Sequence, residues 1–157
     1  ITLGSAASTY EESQPVRLVA AGTADEPIVF SSAEATPAAG DWGGVHWAAG
    51  PRAGNVLTHA RFEYGGADMQ ANGYGCGPRD NDAFLLIRGW RPDEAFIQNC
   101  SFSNSAAGGI VSGWDSDEVG PDFATTNTFE GIANGCNVSR PKSDEGVCPS
   151  EITPACY

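Results

Sequence analysis

Ile87-Arg88-Gly89-Trp90-Arg91-Pro92-Asp93-Glu94 returns 24 positions later as Val111-Ser112-Gly113-Trp114-Asp115-Ser116-Asp117-Glu118. Both segments keep a β-branched start, the Gly-Trp pair, an intervening turn and Asp-Glu. Matched aromatic spacings follow, Phe96-x5-Phe102 and Phe123-x5-Phe129, the second displaced by three extra residues from Val119 to Pro121. A fixed period of this length, built from strand formers and turn residues, marks a solenoid in which each unit is one coil.

The period extends upstream. Val56-x5-Phe62 repeats the aromatic spacing, and Gly44-Val45-His46-Trp47 stands where Leu86-Ile87 stands one coil later. Three coils follow: residues 41–66, 83–108 and 109–135. Superposed, they give columns of like residues: Phe62, Phe102 and Phe129; Leu57, Ile97 and Ala124; Ala60, Cys100 and Asn127. Apolar residues at i, i+3 and i+5 do not fit a straight strand, whose faces alternate with period 2. They fit a strand with one bend, its corner at His59, Asn99 or Thr126, and Asn tolerates the left-handed backbone such a corner needs. With 20 Gly and 10 Pro, no stretch shows a clear helical stripe. The expected fold is all-β: a right-handed parallel β-helix of about five to six coils with a disulfide-pinned C-terminal tail. It forms one domain, 1–157, with an N-terminal edge segment at 1–15, coils over 16–135, a loop insertion at 67–82 and an irregular tail at 136–157.

The run Leu18-Val19-Ala20-Ala21-Gly22-Thr23-Ala24-Asp25-Glu26-Pro27-Ile28-Val29-Phe30-Ser31-Ser32, then Gly40-Asp41-Trp42-Gly43-Gly44-Val45, resembles the β-helix repeat proteins of bacterial cell surfaces. Phe62-Glu63-Tyr64-Gly65-Gly66 and Asn99-Cys100-Ser101-Phe102-Ser103-Asn104 resemble the same family, so the likeness covers residues 16–135. The resemblance implies the fold and secretion. It is nearly silent on activity, because pectate lyases, polygalacturonases and tailspikes share the coil rather than the site.

Composition narrows the partners. The chain carries −12 net charge, a pI near 4.3 and a single Lys. Nucleic acid is a poor partner for such a surface and is not expected, and an acidic polysaccharide is repelled unless divalent cations bridge it. No apolar run reaches the roughly 18 to 20 residues of a membrane helix. The chain opens on Ile1 without a Met, which fits a trimmed polypeptide whose export signal is gone.

The five cysteines give the same reading. Cys100 falls on an inward column and is expected to be a buried free thiol. Cys76, Cys136, Cys148 and Cys156 then remain as disulfide candidates with three possible pairings, suited to an extracellular or cell-surface setting. Zinc is the rival, but no pair shows Cys-x2-Cys spacing.

Several constellations carry candidate chemistry. The excursion from Ala67 to Asp82 leaves the coil at a corner and offers Tyr74, Asp80 and Asp82 as ligand-binding residues; the bland reading is a tolerated insertion. Asp115, Asp117 and Asp122 supply clustered oxygens of the kind calcium takes, as do Asp80 and Asp82, against the reading that they are solvated turn residues. No other cofactor is expected. Trp90 and Trp114 share a station on consecutive coils in this reading, either stacking on sugar rings or forming an internal aromatic pair. Catalytic candidates are the outward Asp41, His46, His59, Arg61 and Glu63, but no paired carboxyls or base beside a cation site stand out.

The functional expectation is therefore a non-enzymatic, extracellular structural or adhesive β-helix. The alternative is a carbohydrate-binding or polysaccharide-degrading module using the 67–82 loop and the Trp pair. Ile1 to Gly4 reads as a strand, and Ser5 to Pro15 lacks the helical periodicity of a cap. An uncapped strand edge is a template for pairing. Self-association through the N-terminal edge, propagating into filaments, is thus the expected assembly.

Overall fold

The computed structural model describes residues 2–3, 17–47, 50–69, 82–89, 91–114, 120–140 and 155–156. All regular elements there are strands, and they form three sheets. A six-stranded sheet holds β1 (Thr2–Leu3), β4 (Val45–Trp47), β7 (Ala83–Gly89), β10 (Gly108–Trp114), β12 (Val138–Arg140) and β13 (Ala155–Cys156), in that order. A three-stranded sheet holds β2 (Val19–Ala21), β5 (Val56–Thr58) and β8 (Ile97–Gln98). A four-stranded sheet holds β3 (Ile28–Phe30), β6 (Ala60–Glu63), β9 (Ser101–Ser105) and β11 (Thr128–Ile132). The chain visits the three-, four- and six-stranded sheets in turn, and every pairing is parallel except that of β12 with β13. This is a parallel β-helix, as the columns require.

Parallel in-register strands repeat about every 4.8 Å, so like residues stack on like. Phe30, Phe62, Phe102 and Phe129 form a continuous interior ladder with ring centroids 4.8, 5.0 and 5.0 Å apart and planes within 10° of parallel. Isolated aromatic pairs favour offset or edge-on geometry; here the strand spacing imposes the stack. Phe84, from the six-stranded sheet, tilts against Phe62 and Phe102 across the interior. Ala20, Leu57 and Ile97 line the three-stranded wall, with Ala124 packed against them, and Val45, Leu85, Ile110 and Val138 line the six-stranded wall.

Two buried amides tie rungs together. Asn55 Oδ1 accepts from Leu18 N–H at 2.8 Å and from Trp47 Nε1 at 3.1 Å, while its Nδ2 donates to Arg52 O. Asn127 Oδ1 accepts Cys100 N–H at 2.8 Å, and its Nδ2 donates to Ile97 O and Phe123 O. The side chain thus finishes the three-stranded sheet where no further strand follows.

The corners show the expected left-handed backbone at His59 (φ 49°) and Asn99 (φ 54°), but not at Thr126. There the Asp122 carboxylate takes over the turn by accepting the N–H groups of Ala124 and Thr125 and the Thr125 hydroxyl. A second left-handed corner, leaving the four-stranded sheet, repeats at Tyr64, Asn104 and Gly131 (φ 62°, 59° and 63°). Just beyond it, Gly66 (φ 82°) lies so close to Ser105 that a β-carbon would collide with the Ser105 hydroxyl.

The six-stranded sheet corrects one reading. Val111 pairs beside Leu86, and Trp114 beside Gly89, so the structural offset is one residue longer than the sequence repeat. The expected pairing of Trp114 with Trp90 falls on Trp90, which lies outside the described residues. Register is set by which side chains face the interior, here Val45, Leu85, Ile110 and Val138, and a shared Gly-Trp strand exit does not fix it.

The amino end also differs in part. Thr2–Leu3 is a strand, as expected, but it pairs with His46 and Trp47 of its own chain and becomes the terminal strand of the six-stranded sheet.

Candidate functional site

A β-helix can present function on the outer face of each sheet. On the six-stranded sheet, His46, Leu86, Val111 and Ser139 share one outward row, and all four are buried. Leu86 and Val111 form a second apolar cluster with Ala83, and Met69 of the excursion packs on it. His46 therefore stands on a covered face rather than in an open cleft. The excursion starts by folding back on the preceding rung, with Gly66 N–H on Gly43 O and Ala67 N–H on Trp42 O.

The four-stranded sheet presents an open polar face instead. One outward row runs Val29, Arg61, Ser101 and Thr128; the next places Ser103 between Glu63 and Glu130. Glu63 pairs with Arg61 at 3.4 Å and accepts the Ser31 hydroxyl at 3.1 Å. At the adjoining corner, the Asp41 carboxylate accepts the Ser32 hydroxyl at 2.5 Å and Ala38 N–H at 2.9 Å. These bonds, the serine first, hold the Asp41 carboxyl below the usual range. The backbone N–H of Asp41 donates to Tyr64 O. Ser31 and Ser32, adjacent in sequence, thus tether Glu63 and Asp41 at one patch, beside half-buried Tyr64 and exposed Asn104.

Of the five catalytic candidates, the fold brings Arg61 and Glu63 together with Asp41 nearby. His59 sits at the other corner and His46 on another sheet. Ser103 and Glu130 were missed. Their signal was nonetheless legible, because each follows a member of the Phe62, Phe102, Phe129 column by one residue, as Glu63 does.

Other candidates fare differently. Asp122 spends its oxygens on its own turn, which holds its carboxyl below the usual range, chiefly through the Thr125 hydroxyl. Asp115 and Asp117 lie outside the described residues, as do Tyr74 and Asp80. Asp82 accepts Met69 N–H at 3.2 Å, and burial raises its carboxyl. Among the described residues, no three His, Cys, Asp or Glu side chains gather as a metal site. Cys100 is buried and free, its thiol directed at Leu57 O and Gln98 O, and burial pushes its pKa up. Cys136 is disulfide-bonded; Cys76 and Cys148, like the side chain of Cys156, lie outside the description. No helix among the described residues is long and apolar enough to cross a membrane.

The family model for the pectate-lyase-like β-helix domain matches residues 7–85, just over half of the chain. The chain belongs to this family of pectate-lyase-like β-helix domains. The match ends inside β7, while the coil continues through β8 to β12, so the family's architecture extends beyond the matched segment. No curated protein and no solved structure matches the chain.

Proposed function

We propose that this pectate-lyase-like β-helix domain is a non-catalytic adhesive module, displayed outside the cytosol, that holds a hydroxyl-rich, uncharged polysaccharide on the open face of its four-stranded sheet. The observation that carries the reading is the polar strip on that face, with Ser31, Arg61, Glu63, Ser103 and Glu130 on neighbouring strands and Tyr64 and Asn104 at its rim. Carboxylates, amides and hydroxyls on rigid strands suit sugar hydroxyls, and an aromatic edge suits a ring face. The net charge of −12 disfavours a polyuronate chain, even though the family takes its name from one that acts on pectate. The bonded Cys136 fits an oxidising compartment, and disulfides fastening the tail belong to the same proposal.

The hydrolytic form of the enzymatic alternative needs two carboxyls flanking a scissile bond, separated by about 5 to 9.5 Å across a cleft. Glu63 and Glu130 are two strand spacings apart, roughly 10 Å, but they rise side by side from one face. Groups on one face do not oppose each other across a bond.

Co-sedimentation with insoluble neutral polysaccharides tests the proposal, with polygalacturonate as the acidic comparison. Ser103→Arg, at the centre of the strip, should lower neutral-glycan binding at least about tenfold while leaving the melting temperature unchanged. Absence of binding to any glycan sinks the reading. Release of unsaturated or reducing ends, abolished by Glu63→Gln, replaces it with an enzyme.

A further inference from the structure

We propose that two copies of this chain join head to head through β3, pairing antiparallel about a two-fold axis at Val29. This edge adjoins the polysaccharide strip, with Val29 paired beside Arg61, but the inference rests on the strand edge and not on the strip.

β2 and β3 are the terminal strands of their sheets, so each has one edge with no neighbouring strand among the described residues. Ile28 N–H donates to His59 O, directing the backbone of Ile28 toward β6. Backbone direction alternates along a strand, so Val29 turns its N–H and C=O to the open side. Such groups call for another extended strand.

The side chains agree. Ile28 belongs to the inward column of Ala60 and Cys100, which are 1% and 2% exposed, yet it is itself 40% exposed. An inward residue is accessible here, and among the described residues no further strand lies on it. Val29, at 47%, and Val19, at 62%, lie on the same rung, and these three are the exposed large hydrophobics among the described residues.

The opposite end does not complement this one. There the six-stranded sheet ends in antiparallel β13, and the three-stranded sheet is capped by the Asn127 side chain. Among the described residues the terminal strands at that end are antiparallel β13 and β11, and β11 carries exposed Thr128 and Glu130 rather than an apolar edge. The apolar strand edge that matches the first rung is therefore the first rung of a second copy. Antiparallel pairing centred on Val29 lets the two Val29 residues exchange both backbone hydrogen bonds. It also sets Phe30, half-buried at the end of its ladder, opposite Ile28 of the partner subunit. An isologous contact of this kind closes as a pair and does not propagate. Each copy carries a net charge of −12, so the two repel as wholes and the pair should tighten as salt rises.

Sedimentation of the chain over a concentration series should show a species of twice the chain mass whose proportion grows with salt, and Val29→Lys should return it to the monomer with unchanged circular dichroism. Under mild oxidation Val29→Cys should link into a covalent dimer beyond the background of the unsubstituted chain, since facing strand positions lie within disulfide reach. Thr128→Cys, at the far end, should not. A monomer at every concentration and salt overturns the proposal. So does cross-linking of Val29→Cys to Thr128→Cys in a mixture without self-linking of either, which would mean head-to-tail stacking.

Discussion

At the scale of the residue, Asn127 shows how one side chain substitutes for a strand. It satisfies Cys100 N–H, Ile97 O and Phe123 O inside the structure. Asn127→Ala leaves all three groups without that partner and should destabilise the fold by about 2 to 4 kcal/mol, read from urea unfolding. Asp122 acts on the neighbouring turn. Its folded pKa is lowered relative to the ordinary 3.8, so its contribution is fully present above that value and lost as pH falls through the folded pKa. Asp41 has the same sign, and Asp82, raised by burial, has the opposite one. Melting temperature against pH should therefore fall less steeply below about pH 4 in Asp122→Asn than in the parent chain. The sequence placed Asn127 correctly on the inward column with Ala60 and Cys100. It did not show that the amide would serve as an end cap, because its partners come from residues up to 30 positions away.

At the scale of the element, the phenylalanine ladder and the register of the six-stranded sheet make a contrast. The ladder was legible because Phe recurs at one station and the spacing Val56 to Phe62 is kept. Phe102 is fully buried between Phe62 and Phe129 and also meets Phe84. Phe102→Ala should cost about 3 to 5 kcal/mol. Phe30→Ala, at the half-covered end with one stacked neighbour, should cost clearly less in the same urea titration. An equal loss at both positions would mean that ring position in the ladder does not matter. The register was not legible in the same way. The Gly-Trp repeat aligns Ile87 with Val111, whereas the strands align Leu86 with Val111. Turn chemistry recurs wherever a strand must exit, and it carries no information about which residues face inward.

At the scale of the whole molecule, the charge and the closure of the ends govern behaviour. Several of the described carboxylates, Asp41, Asp82 and Asp122 among them, bind the chain's own donors. Chelation with EDTA is accordingly expected to leave the melting temperature unchanged, since a ligand bound only by the folded state would raise it by mass action. A drop on chelation, restored by calcium, would reinstate a calcium site. Closure is asymmetric. At the amino-terminal end the terminal strands are β1, β2 and β3, and the exposed large hydrophobics among the described residues lie on β2 and β3; at the other end the six-stranded sheet turns antiparallel at β13.

From the sequence alone came the coil, its inward columns, the left-handed corners at His59 and Asn99, and the buried Cys100 thiol. Each of these rests on a local spacing or a single-residue preference that repeats from rung to rung, and repetition makes a weak local signal readable. Tertiary structure alone decided that the outer face of the six-stranded sheet is covered, that Ser31 and Ser32 gather Glu63 and Asp41, and that Trp114 stands beside Gly89. Those outcomes depend on what one rung or loop meets on another, and contacts between distant segments are set by the packing of the whole coil rather than by any segment in it.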